Sequence, residues 1–313
     1  MTFVQLIPHL EANLAMIRLS RIVAASGEDM FDVVIDGDER ENYSSLYPDQ
    51  TKFARFQPIN NYHLAQLAFW VADYHAVMDL TLESQGEITL LSDFLRGQAL
   101  WRLGRQDEAI EVWQPLRNIE RFFFTRALQA EYDRDYILLE QYSYQQLLIG
   151  RDREAAEPAY WFALAMNIIP KIDESPDDYD QTIRKAIDSN LNLERRLLRM
   201  GAALTDQRRL ELAKESLEPI LELENITYWS NFQLGLVYYL LHDHPAAKDQ
   251  FLSVIKTNPE FGRAHLFLAR SFVRMDQREN AIPYYREAIR LLPEVQGLEL
   301  ELNKLIDQKG SDG

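Results

Sequence analysis

Apolar residues along the second half of this chain recur at helical spacing, and the pattern repeats. In "LARSFVRMDQRENAIPYYREAIRLLP", residues 268–293, two short amphipathic stretches flank a polar turn, and "LGLVYYLLHDHPAAKDQFLSVIKTNP", residues 234–259, has nearly the same layout. Apolar positions three and four apart mark one face of a helix, and Gly, Asn, Asp and Pro between such faces mark turns. Taking Ala269 as an anchor, an aromatic stands at +3 (Phe272), a small residue at +12 (Ala281), an aromatic at +16 (Tyr285), Ala288 at +19 and Pro293 at +24. The same offsets from Gly235 give Tyr238, Ala247, Phe251, Val254 and Pro259; from Gly201 they give Leu204, Ala213, Leu217 and Ile220, with Asn225 in the place of proline.

Anchors 34 residues apart predict stacked helical hairpins. Each position has a physical reason. The small residues at the anchor and at +12 let the two helices of a hairpin cross closely. The aromatics at +3 and +16 are expected to fill the space between one hairpin and the next. Proline at +24 ends the second helix, because it lacks the N–H a further turn requires. A single hairpin cannot bury its apolar face, so stability has to come from its neighbours.

Upstream the pattern loosens. "GQALWRLGRQDEAIEVW" fits a hairpin anchored at Gly97, with Trp113 at +16, and residues 157–190 fit one anchored at Ala165 if its turn is lengthened. "NYHLAQLAFWVADYHAVMDLTLES" predicts another hairpin with Asp73 and Tyr74 in its turn. Residues 122–150 read as helical without a fixed register, either a broken hairpin near 133–135 or one longer helix. Residues 9–25 predict an opening helix, residues 26–57 an irregular acidic insertion, and residues 294–308 a polar C-terminal capping helix.

These residues resemble the tetratricopeptide repeat family. The resemblance is carried by 91–121 and above all by 157–293, and it implies an all-α fold: a right-handed superhelical solenoid of antiparallel helix pairs, with 1–313 forming a single repeat domain. In that geometry the first helix of each pair lines a concave groove. The resemblance then implies groove positions for Trp101, Arg195, Arg199, Trp229, Phe232, Tyr239, Arg263, Arg270 and Arg274. Five arginines on one wall, beside the aromatic types that dominate interface energetics, suit an extended protein or peptide partner carrying acidic groups, or an anionic polymer. The alternative is that the aromatics pack beneath neighbouring helices and the arginines pair with abundant acids. Some family members grip a terminal carboxylate with basic residues at −6 and −2, matched by Arg195 and Arg199. The Lys and Asn that complete that clamp are Phe162 and Met166, or Phe94 and Gln98, in this chain.

Composition narrows the function classes. The chain has 313 residues, 33 Lys plus Arg against 49 Asp plus Glu, and a formal charge of −16. That field opposes phosphate binding, so no nucleic-acid partner is expected. Without cysteine there is no disulfide and no thiolate nucleophile. No signal peptide or membrane span is read in the chain, which leaves a cytoplasmic protein or a soluble extracytoplasmic part of a larger bacterial envelope protein.

Chemistry-bearing motifs are sparse. "HDHP" at 242–245 pairs two histidines in a repeat turn with no third ligand in reach, "IDESPDDYD" at 172–180 reads as a helix start capped by Ser175, and "DGDEREN" lacks the spacing of a calcium loop. There is no phosphate-cradling loop, nucleophile elbow or HExxH helix, so neither a cofactor nor a metal is expected. The expectation is a non-catalytic binding scaffold. The alternative is the repeat domain of a bacterial envelope glycan polymerase, ligase or assembly system. An enzyme whose residues converge only in three dimensions would show a closed pocket with perturbed acids.

Overall fold

In the computed structural model, residues 58–82, 87–117, 119–150 and 153–310 are described. The opening helix at 9–25 and the insertion at 26–57 lie outside these residues. Every regular element among the described residues is helical, with no strand. The helices are α1 (Pro58–Trp70), α2 (Tyr74–Thr81), α3 (Glu87–Arg102), α4 (Gln106–Trp113), α5 (Ile119–Asp133), α6 (Tyr136–Ile149), α7 (Arg153–Ile168), α8 (Pro176–Ser189), α9 (Glu194–Asp206), α10 (Leu210–Leu217), α11 (Tyr228–Leu240), α12 (His244–Thr257), α13 (Gly262–Arg274), α14 (Arg278–Leu291) and α15 (Leu298–Gly310). Among the described residues no helix is long and apolar enough to cross a membrane.

The chain divides into two compact units, Met1–Phe122 with Leu148–Arg151, and Phe123–Leu147 with Asp152–Gly313. In the second, α9 packs on α10, α11 on α12 and α13 on α14, and α12 also packs on α13. The predicted all-α stack of antiparallel helix pairs is therefore what the described residues of this unit form.

One turn closes the hairpins. Ala72, Gly104, Arg134, Arg208, His242 and Asp276 all have φ between +57° and +76°, and each lies seven residues after a buried small residue. The next N–H reaches back five residues, as from Asp243 to the Tyr238 carbonyl at 2.9 Å and from Gln277 to Phe272 at 2.9 Å. This is the Schellman closure of a helix, which satisfies a carbonyl the helix leaves open. Asp73 and Asp243 then cap the second helix, accepting the N–H of Ala76 at 3.0 Å and of Ala246 at 3.1 Å. Tyr74, expected in the first turn, is instead the first residue of α2.

The same turn supplies the register missing from 122–150. Arg134 closes a hairpin between α5 and α6 whose anchor is Ala127, and Phe123 meets Tyr142 with ring centroids 6.3 Å apart. The Ala165 hairpin lacks a left-handed residue; the 3-10 turn Ile169–Lys171 lengthens its loop, and Ile169 and Ile172 are buried in it. Ser175 does precede α8, but its hydroxyl donates to the Asp178 carboxylate at 2.9 Å rather than capping the backbone.

The anchor positions are occupied for a steric reason. A Cβ on Gly97 would stand 2.1 Å from Trp113, on Gly201 2.4 Å from Leu217, and on Gly235 2.7 Å from Phe251. In all three the +16 side chain lies against the bare backbone of its own hairpin. Phe251 also stacks on Phe267 of the next hairpin, with centroids 5.8 Å apart. The +16 residue is thus shared by both, where the sequence pattern placed it between hairpins alone.

Buried polar residues fix the earlier part of the second unit. Arg196 forks onto Glu131 at 3.0 and 2.7 Å and donates to the Asn190 side-chain oxygen at 3.1 Å. Asn190 in turn donates to the Pro158 carbonyl at 2.9 Å. Helices α5, α7, α8 and α9 are tied together by this one network.

Candidate functional site

At the C-terminal end of the second unit, α11, α13, α14 and α15 line an open cavity of about 480 Å³. Tyr239 comes from α11, Arg270, Val273 and Arg274 from α13, Tyr285 from α14, and Glu301, Lys304 and Leu305 from α15. Helical spacing on α13 puts Arg270 and Arg274 on one face. Leu298, Leu302 and Leu305 are buried and seat α15, so Glu301 and Lys304 are carried to the cavity wall.

Arg270 makes a forked ion pair with Glu301, Nε to Oε2 at 3.2 Å and Nη2 to Oε1 at 2.7 Å, and the Tyr285 hydroxyl donates to the same Oε2 at 3.0 Å. Hydrogen bonds from the Arg270 guanidinium, joined by that of Tyr285, hold the Glu301 carboxyl below the usual range against the opposing effect of burial. Burial, with the adjacent Glu301 charge, pushes the Tyr285 phenol up. Arg274 and Lys304 have no hydrogen-bond or ion-pair partner among the described residues. Three cations against one carboxylate make the cavity wall positive in a chain of formal charge −16.

Of the nine residues singled out in the sequence, Tyr239, Arg270 and Arg274 are brought together in this cavity. Tyr239 is half-buried, its ring meeting Phe267 edge-on at 5.6 Å. Trp229 is 40% exposed at the start of α11, resting on Tyr228, Phe232 and Phe261 with centroids 5.6, 6.0 and 5.1 Å away. Arg263 is exposed in the first turn of α13. Arg195 is exposed on α9, whereas Arg199, half-buried, donates to the Glu131 carbonyl at 3.4 Å. Phe232 differs from its expected place on the groove surface: it is 3% exposed, covered by Trp229 and Phe261 and packed on Phe251. Trp101, in the first unit, is half-buried with its ring 6.0 Å from Trp113.

Glu301, Lys304 and Tyr285 line the same cavity, and the groove offsets of the repeat do not mark them. Tyr285 was assigned to packing as the +16 aromatic, and the capping helix follows no repeat that would set its rotation. The available signal was the spacing of Leu298, Leu302 and Leu305, which puts Glu301 on the flank of the buried stripe.

A second cavity, of about 510 Å³, opens between α8 and α10 with the opposite charge: Asp188, Glu215, Glu218 and Glu222 face a single Arg184. Arg184 is forked onto Glu215 at 2.9 and 3.2 Å, and Glu218 accepts the Tyr238 hydroxyl at 2.6 Å. Among the described residues no group of three or more His, Asp or Glu is placed to hold a metal ion. The His242 and His244 rings stand 5.9 Å apart in their turn. Burial, then the charges of His242 and Arg274, lower the pKa of His244.

Residues 232–295 match the tetratricopeptide repeat family. No curated protein matches the chain. Among solved structures it is similar to MamA, at 16% identity over 56% of this chain and 93% of that one, with a TM-score of 0.43. It is also similar to YrrB, described as a TPR protein with an unusual peptide-binding site, at 18% identity over 58% of this chain and 90% of that one, with a TM-score of 0.46.

Proposed function

With residues 232–295 identified as tetratricopeptide repeats, we propose that this chain is a binding scaffold for a protein or peptide segment that carries acidic groups. The observation that supports the reading is the positive cavity at Tyr239, Arg270, Arg274 and Lys304, set in a strongly acidic chain. Arg274 and Lys304, which have no hydrogen-bond or ion-pair partner among the described residues, are donors for carboxylates, and a cavity of several hundred cubic ångströms takes one or two side chains. Trp229, a large aromatic left 40% exposed at the head of α11, adds an apolar anchor on the same hairpins. Arg263, Arg195 and Arg199 extend the positive character along the first helices of the pairs. Phe232 supports Trp229 from beneath. The reading assigns binding and no bond-making step.

Acidity of the whole chain serves the selectivity of such a site. Distant negative charge repels polyanions such as nucleic acid, while a short acidic segment meets the local positive wall. The test is capture of partners from a cell extract by the wild-type chain and by Arg274→Ala and Trp229→Ala, with bound proteins identified by mass spectrometry. The two variants are expected to lose about tenfold or more in affinity for the captured partner, Arg274→Ala melting at the wild-type temperature and Trp229→Ala below it but still folded, since Trp229 packs on Tyr228, Phe232 and Phe261. Retention of that partner at wild-type affinity by both variants contradicts the reading.

A further inference from the structure

Three donors converge on one carboxylate in the positive cavity: Nε and Nη2 of Arg270 at 3.2 and 2.7 Å, and the Tyr285 hydroxyl at 3.0 Å. A planar guanidinium forked onto a carboxylate, with a hydroxyl completing the set, is the arrangement of a filled carboxylate-recognition site. The carboxylate belongs to the chain itself and arrives on the C-terminal helix α15, beside two cations, Arg274 and Lys304, that have no partner among the described residues.

We propose that Glu301 is a resident stand-in for the partner's carboxylate, occupying Arg270 until an acidic group of the partner displaces it, and so setting how acidic a segment must be to bind. The inference rests on the scaffold reading above and deepens it. Arg274 and Lys304 offer the first contact, because neither makes a hydrogen bond or ion pair among the described residues. Arg270 becomes available only when Glu301 swings away. That displacement is cheap: both side chains of the pair are about a third exposed, at 32% and 38%. An ion pair so placed shifts an equilibrium by no more than about fivefold. Rotation about the Glu301 side-chain bonds is sufficient, since Leu298, Leu302 and Leu305 hold the helix backbone.

The probe is a fluorescein-labelled octapeptide of alternating Asp and Glu, with its Asn and Gln counterpart as control, followed by fluorescence anisotropy in low salt. Wild type is expected to bind the acidic peptide and not the neutral one. Glu301→Gln and Glu301→Ala are each expected to bind it about three- to fivefold more tightly, since both remove the competing charge. Arg270→Lys is expected to cost little in the wild-type background and more in Glu301→Gln, where the fork is open to the peptide. A merely structural Glu301 would give unchanged or weaker binding in both Glu301 variants and an equal effect of Arg270→Lys in the two backgrounds; that result overturns the inference. Arg274→Ala separates the two levels. Weaker binding there with unaltered Glu301 variants overturns only the stand-in role, whereas wild-type binding in Arg274→Ala, or no binding of the acidic peptide to wild type and Glu301→Gln alike, overturns the scaffold reading with it.

Discussion

Replacing Gly235 by alanine adds one methyl group at the point where α11 crosses α12. Alanine is the better helix former by about 1 kcal/mol, and burying a methyl contributes about 0.8 kcal/mol more, so propensity and burial both favour the substitution. Sterics oppose it. The new Cβ would stand 2.7 Å from Phe251 Cε1 and 2.9 Å from Cδ1, so the ring has to retreat by about 0.7 Å to reach the 3.4 Å of an ordinary contact. Phe251 is fully buried, with Phe232 at 5.9 Å and Phe267 stacked at 5.8 Å, and has nowhere to go. At a site as rigid as this one, overpacking costs about 2–3 kcal/mol beyond what the methyl contributes, the upper part of the usual range, because backbone or rotamers must shift, and the gain in helix propensity offsets about 1 kcal/mol of it. The expected net destabilisation is about 1–2 kcal/mol, a fall in Tm of about 2–6 °C followed by circular dichroism. Gly235→Ala with Phe251→Leu should recover most of the loss, since the shorter side chain vacates the contact, giving a coupling of about 1 kcal/mol or more. A single variant as stable as wild type, or a double variant whose losses simply add, would refute the claim that the bare backbone at Gly235 exists to admit Phe251.

Arg208→Gly, at a left-handed φ of +58°, should raise stability by about 0.5–1 kcal/mol in urea unfolding, because a side chain with a Cβ is strained there; a lower midpoint would contradict the turn assignment. Arg196→Ala should cost about 2–3 kcal/mol, as it strands the Glu131 carboxylate, whose side chain is only 15% exposed, and a loss below 1 kcal/mol would show that water replaces the guanidinium. The Glu301 carboxyl is held low in the folded chain, so its contribution is present above the unfolded carboxylate value of about 4.3 and is lost as pH falls through the lower folded value. Wild type should therefore outlast Glu301→Gln at pH 7 in thermal melts, by a margin that begins to shrink once pH falls below the unfolded carboxylate value; a margin that does not change as pH is lowered would contradict the charge-based account.

Much of the fold is legible in the sequence where one side chain answers another at fixed spacing. Gly201 with Leu217 and Gly235 with Phe251 are steric pairs, and such pairs survive as a visible period. The α5–α6 hairpin hides because its pair is unlike the others: Ala127 is the anchor, and the fully buried +16 residue is the polar Ser143, whose hydroxyl turns back to the Leu139 carbonyl. Its turn residue, Arg134, adopts a conformation usually marked by Gly or Asn. At the site, Tyr239, Arg270 and Arg274 follow from repeat offsets, since a helix face is a matter of spacing. Phe232 sits at one of those offsets too, yet Trp229 and Phe261 close over it, and burial by a neighbouring side chain leaves no mark in the period. Lys304 and Glu301 depend on how α15 is rotated on α14, which three buried leucines decide.

The central claim, that acidic segments are held at the wall formed by Tyr239, Arg270, Arg274 and Lys304, is most directly tested by nuclear magnetic resonance. Titration of the acidic octapeptide into ¹⁵N-labelled chain should move the side-chain Nε–H signals of Arg270 and Arg274, leaving the buried Trp113 indole and the Arg184 signal in place. Shifts centred on Arg184, or spread evenly over exposed arginines, would contradict it.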